Sequence, residues 1–222
     1  MNFSRKRIYI FAFFLSVGVL SVFGLPNLDS FKAPGPMNAG HEKLACIECH
    51  EGAKGTMRQQ IQGNVKYWIG LEKNRVDFGY QTPDNKDCLA CHERKDDQHP
   101  VYRFNEPKYA KVRKEIHPEK CVSCHNEHHG VRVTSELTIC KHCHESLKLK
   151  HDPLETSHEV LIKNKKWNSC LGCHDFHGNH KWDVPKKESQ MIPENTLKAY
   201  FKGAKSPYGK EKIKAKESRY EN

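Results

Sequence analysis

Residues 121–130 read C-V-S-C-H-N-E-H-H-G: two cysteines three positions apart, a histidine directly after the second, and further histidines just beyond. The five-residue unit recurs as C-I-E-C-H at 46–50, C-L-A-C-H at 88–92, C-K-H-C-H at 140–144 and C-L-G-C-H at 170–174. All 10 cysteines of the chain fall in these units: Cys46/Cys49, Cys88/Cys91, Cys121/Cys124, Cys140/Cys143 and Cys170/Cys173. The adjacent histidines are His50, His92, His125, His144 and His174. Histidine is only 15 of 222 residues, so its place after every pair is not chance.

The spacing has a chemical reading. Two thiols separated by two residues can both reach the vinyl groups on one edge of a haem and form thioethers, while the adjacent imidazole ligates the iron. A disulfide framework needs no histidine at a fixed offset. Zinc sites use two cysteine pairs, or a pair and distant histidines, and seldom a contiguous C-x-x-C-H. The reading is therefore five covalent haem c groups, with zinc and disulfides as the alternatives.

Composition agrees. Hydrophobic residues make up 36% of the chain, ten of them are cysteine, and a dense run of them lies in residues 8–25. That is thin for an ordinary domain core. Five flat apolar cofactors would fill the deficit, and such a chain would not fold without them. The net charge of +10 shrinks once two propionates per haem are counted, to about +5 with ferric iron and about zero with ferrous iron. The basic balance is then no argument for nucleic acid.

The five motifs resemble those of multihaem c-type cytochromes, a class that includes small tetrahaem and pentahaem periplasmic electron carriers. The resemblance covers residues 41–180. It implies a mainly α and irregular haem-packed domain with little or no β-sheet, the ten cysteines as covalent anchors and the five motif histidines as proximal iron ligands.

Each iron then needs a distal ligand. Ten histidines lie outside the motifs: His41, His99, His117, His128, His129, His142, His151, His158, His177 and His180. His128 and His177 follow a motif histidine by three, so the ring of their own haem blocks them from its far face; they should serve a neighbouring haem. We expect His41, His117, His128, His158 and His177 as distal ligands, with His99, His129 and His151 in reserve and His142 exposed. Methionine is the other common distal ligand, but Met37, Met57 and Met191 lie in flexible or packing contexts. Bis-histidine ligation implies low potentials.

The remaining segments read as follows. Arg5, Lys6 and Arg7 close a basic segment at 1–7 and precede an apolar run at 8–25. The run is just long enough for a transmembrane helix, with the basic side cytoplasmic; a cleaved signal peptide is the alternative. Either way the domain is exported, to the periplasmic side of the inner membrane or to the periplasm. Residues 26–40 form a Pro/Gly-rich linker. Residues 56–73 carry apolar residues at Ile61, Val65, Trp68 and Ile69, the pattern of a helix, expected to cover a haem. Residues 181–222 form a basic tail with 11 Lys/Arg and 6 Asp/Glu, read as a solvated end or as a docking arm.

For function, the expectation is a non-enzymatic electron carrier in a respiratory chain, with redox proteins as partners and a membrane dehydrogenase or quinol on the donor side. A nitrite- or hydroxylamine-type oxidoreductase needs an open iron. The C-x-x-C-K motif that marks the catalytic haem of pentahaem nitrite reductases is absent. Membrane-anchored tetrahaem quinol dehydrogenases typically carry methionine three positions after the first motif histidine, where this chain has Ala53.

Overall fold

The structure is a computed structural model that describes residues 5–24, 33–211 and 214–220. It divides into two units, residues 1–36 and 37–222. About 43% of the described residues are helical, with almost no strand.

In the first unit, α1 spans Arg5–Gly24. The expectation of a membrane-crossing helix at 8–25 is corrected here: among the described residues no helix is long and apolar enough to cross a membrane. Arg5, Lys6 and Arg7 occupy its first turn, so the uncharged part begins at Ile8 and ends at Gly24. At about 1.5 Å per residue that part rises roughly 25 Å, against roughly 30 Å of hydrocarbon. Ser16 and Ser21 dilute its hydropathy further, and the Ser16 hydroxyl donates to the carbonyl of Ala12 at 2.8 Å.

The second unit is a series of short helices: α2 (Cys46–Cys49), α3 (Met57–Trp68), α4 (Asn85–His92), α5 (Ala110–Ile116), α6 (Lys141–His144), α7 (His158–Lys163) and α8 (Glu194–Phe201). β1 (His180–Lys181) pairs antiparallel with β2 (Lys210–Glu211). Single 3-10 turns carry Cys121–Ser123 and Trp167–Gly172.

Helix α3 starts at a capping box in which Thr56 and Gln59 satisfy each other's backbone N–H groups. The face turned inward is polar: Gln60 Nε2 donates to the carbonyls of Ala53 and Gly55, and Asn64 Nδ2 donates to those of Gln60 and Val76. Ile61, Val65, Trp68 and Ile69 are exposed. Backbone carbonyls and N–H groups of the flanking loops need partners more than the apolar stripe needs cover here.

The side-chain core is small. Leu137, Leu171, Leu197 and Tyr208 are buried together, with Phe176, Trp182, Ile192, Tyr200 and Phe201 packed on them. Helix α8 supplies Leu197, which is fully buried, and Tyr208 donates its hydroxyl to the carbonyl of Leu171 at 2.8 Å. This cluster fastens the chain after 190 onto the last C-x-x-C-H motif. The end of the chain returns further: Lys216 N–H donates to the carbonyl of Cys91, Ser218 binds Glu48, and Arg219 reaches Glu51 at 3.3 Å and Asp87 at 3.0 Å. Residues 216–219 of the expected tail are thus bound to the first two motifs, and Leu197 and Tyr208 to the last.

Candidate metal centres

Each motif folds as one helical turn. The histidine N–H donates to the carbonyl of the first cysteine: His50 to Cys46 at 2.8 Å, His125 to Cys121 at 3.0 Å, and His144 to Cys140 and His174 to Cys170 at 2.9 Å. In such a turn residues i, i+3 and i+4 share a side, so both thiols and the imidazole project together. His92 ends α4 in the same way.

Every motif histidine faces one histidine from outside the motifs. We number the sites by motif. At site I His50 faces His128, with ring centroids 6.3 Å apart. At site II His92 faces His41 at 5.9 Å. At site III His125 faces His177 at 6.2 Å. At site IV His144 faces His99 at 6.3 Å. At site V His174 faces His158 at 6.2 Å. No histidine is used twice.

The spacing can be tested against an iron between two imidazoles. A five-membered ring with bonds of about 1.33 Å places each nitrogen roughly 1.15 Å from its centre. A metal–imidazole bond is about 2.0 Å. Two rings on opposite sides of one metal should therefore stand roughly 6.3 Å apart by centroid. The five observed separations, 5.9 to 6.3 Å, fit.

The hydrogen bonds aim the rings. His50 Nδ1 donates to the carbonyl of Gln81 at 3.0 Å and His125 Nδ1 to that of Arg132 at 2.9 Å. His99 Nδ1 donates to the carbonyl of Phe176 at 2.6 Å, with the Phe176 ring stacked on it at 4.3 Å. His41 Nδ1 meets Glu127 at 2.6 Å, His158 Nδ1 meets Asp152 at 3.0 Å, and His177 Nδ1 meets Asp97 at 3.1 Å. In all six the bond is at Nδ1, which leaves Nε2 as the nitrogen available to a metal and fixes the tautomer as metal ligation requires. Burial pushes His92 down to about 4 and also lowers His99, His125 and His174. Neutral imidazole is the form that binds a metal. The Glu127 hydrogen bond raises His41 against the opposing effect of burial.

Four of the expected distal histidines, His41, His128, His158 and His177, stand opposite a motif histidine. His117 does not, and this is the correction to the expected set. It caps the C-terminal end of α5 in the left-handed conformation, φ 47°, with its ring exposed and its Nδ1 3.3 Å from Glu119. His99 holds the position opposite His144 instead. Its signal in the sequence was weak, since it resembles no other segment.

Of the four remaining histidines, His151 is exposed and three are tied elsewhere. His129 Nε2 meets the side-chain amide of Asn126, and His142 meets Glu115. His180 is engaged at both nitrogens, by Asp175 at 2.7 Å and Ser206 at 3.1 Å, and so anchors the returning chain beside β1.

The five sites are joined by the chain itself. His128 follows His125 by three, yet it faces His50; His177 follows His174 by three, yet it faces His125. One H-x-x-H segment therefore ties site I to site III, and the other ties site III to site V. Glycine follows each segment with a positive φ, 67° at Gly130 and 73° at Gly178, turns that glycine makes without steric cost. Thiols complete the row. The Cys88 and Cys121 side chains lie close enough to interact, as do those of Cys140 and Cys170, and each contact raises the first thiol of the couple and lowers the second. These contacts join site II to III and site IV to V. Burial pushes the Cys49 thiol up to about 11. None of the ten cysteines is in a disulfide, and among the described residues no group of three or more His, Cys, Asp or Glu converges as a self-contained metal site.

No protein family, curated protein or solved structure matches this chain.

Proposed function

We propose that the chain is an exported electron carrier that binds five haem c groups, one at each of sites I to V. The observation that carries this reading is the pairing: five motif histidines face five different histidines at the spacing of two imidazoles on one metal. Haem bound in this way supplies one-electron chemistry between ferric and ferrous iron. Everything else is the work of this chain. The cysteines anchor each group covalently, the motif histidines hold its proximal side, and His128, His41, His177, His99 and His158 hold its distal side. Buried surroundings keep four of these imidazoles neutral, and the Nδ1 bonds keep rings from rotating away.

The residue connections order the sites as IV–V–III, with I and II both attached to III. A carrier with that order takes electrons at one end and delivers them at the other, to redox protein partners docked outside. An imidazole on both sides of every site favours this over an oxidoreductase, which needs one side open for a substrate. Haem c attachment occurs outside the cytoplasm, which is why export is part of the proposal.

The test is production of the full chain with c-type haem maturation. The expected result is a mass increment of five haems and, in the oxidised protein, low-temperature EPR signals from low-spin iron alone. A haem-free product, or a stoichiometric high-spin signal, would overturn the reading.

A further inference from the structure

Four of the distal rings differ in what receives the Nδ1 proton, and the difference falls on named carboxylates. Glu127 Oε1 lies 2.6 Å from His41 Nδ1 at site II. Both Asp97 oxygens lie 3.1 and 3.2 Å from His177 Nδ1 at site III. Both Asp152 oxygens lie 3.0 Å from His158 Nδ1 at site V. At site IV the acceptor is a neutral backbone carbonyl, that of Phe176.

These carboxylates are fixed in place. Asp97 is held by Arg94 at 3.4 Å and accepts the N–H of His99 at 2.9 Å. Asp152 accepts the N–H groups of Leu154 at 3.0 Å and His158 at 2.6 Å. Glu127 accepts the N–H of Asn38 at 3.3 Å. Charged acceptors make stronger bonds than neutral ones. A carboxylate that draws on the Nδ1 proton makes the ring a stronger donor at Nε2. A stronger donor, with a negative charge behind it, favours ferric over ferrous iron.

We propose that Glu127, Asp97 and Asp152 are positioning residues that grade the reduction potentials, holding sites II, III and V below site IV. The proposal rests on the haem reading above. It gives the row a direction: an electron arriving at site V is drawn on to site IV, its neighbour through Cys140 and Cys170.

The test is a redox titration of the intact five-haem protein, followed by absorbance with EPR of the individual low-spin signals. Glu127→Gln and Asp152→Asn keep an acceptor oxygen and remove the charge. Each is expected to raise one midpoint of five, shifting the ferrous/ferric ratio at a set potential by about tenfold, or about 59 mV for one electron. All iron should stay low-spin. Glu106→Gln, which removes an exposed partner of Lys108, is the control and should move nothing. Should one of the two variants fail to mature, the other carries the test, because the two carboxylates lie on separate segments. Five haems with midpoints unmoved, or all five moved together, would overturn the grading and leave the haem reading standing. Absence of haem would overturn both.

Discussion

The sharpest prediction separates His99 from His117. His99→Ala removes the ring that faces His144 at 6.3 Å, a hydrogen bond to the carbonyl of Phe176 and the stack on the Phe176 ring. The hydrogen bond contributes about 1 kcal/mol and the stack about 0.5–1.5 kcal/mol. Their loss, about 2 kcal/mol together, is small beside the roughly 5–15 kcal/mol that holds a domain together. The His99 N–H bond to Asp97 survives in alanine. The fold should therefore persist with one axial position empty, since the neighbouring Phe176 has no donor atom in its side chain. One iron in five should turn high-spin, read by low-temperature EPR against total haem. His117→Ala should change nothing, because its ring is exposed and bonded to Glu119. A His99→Ala protein with five low-spin irons, or a high-spin signal from His117→Ala, would refute the pairing.

Four further outcomes follow. Leu197→Ala, at a fully buried position, should cost about 2–5 kcal/mol in thermal unfolding and leave the EPR spectrum unchanged. Arg219→Ala strips Asp87 and Glu51 of a cation and should cost on the order of 1–3 kcal/mol, seen as a lower unfolding midpoint and faster proteolysis of the chain end. Burial raises Tyr208 above its usual range, which favours its protonated form in the folded state; its contribution is full below about pH 10 and is lost as pH rises toward the raised folded value. The unfolding midpoint should thus fall above that pH, less steeply in Tyr208→Phe. Finally, a chain made without haem maturation has seven buried hydrophobic side chains among its described residues and should lack the cooperative unfolding transition, by circular dichroism, that the matured protein shows.

The C-x-x-C-H units were legible because their chemistry is local: three ligating side chains within five residues, placed on one side by a single helical turn. The facing histidines were only partly so. The offset of three after His125 and His174 excluded self-ligation, and that steric rule pointed His128 and His177 at other sites. His117 misled because it precedes Cys121 much as His41 precedes Cys46. The resemblance breaks at the backbone, where the left-handed turn at His117 swings its ring to Glu119. Nothing local marks His99; it gains its place from Phe176 and His177, whose segment docks on Gln98 and His99. In helix α3 the carbonyls of Ala53, Gly55 and Val76 draw Gln60 and Asn64 inward, a polar packing that the apolar periodicity did not show.

The sequence by itself determined the five motif units, the two thiols and one imidazole that each brings to a common side, and a chain poor in apolar side chains. Those follow from residue type and spacing, which a helical turn converts directly into geometry. Tertiary structure decided which histidine faces which, across separations of 16 to 78 positions. It also decided the IV–V–III order with its two branches, the three carboxylates behind distal rings, and the return of the chain end onto Glu48, Glu51 and Asp87. Contacts between distant segments depend on how each backbone turn directs its side chains, and a one-dimensional spacing does not carry that direction.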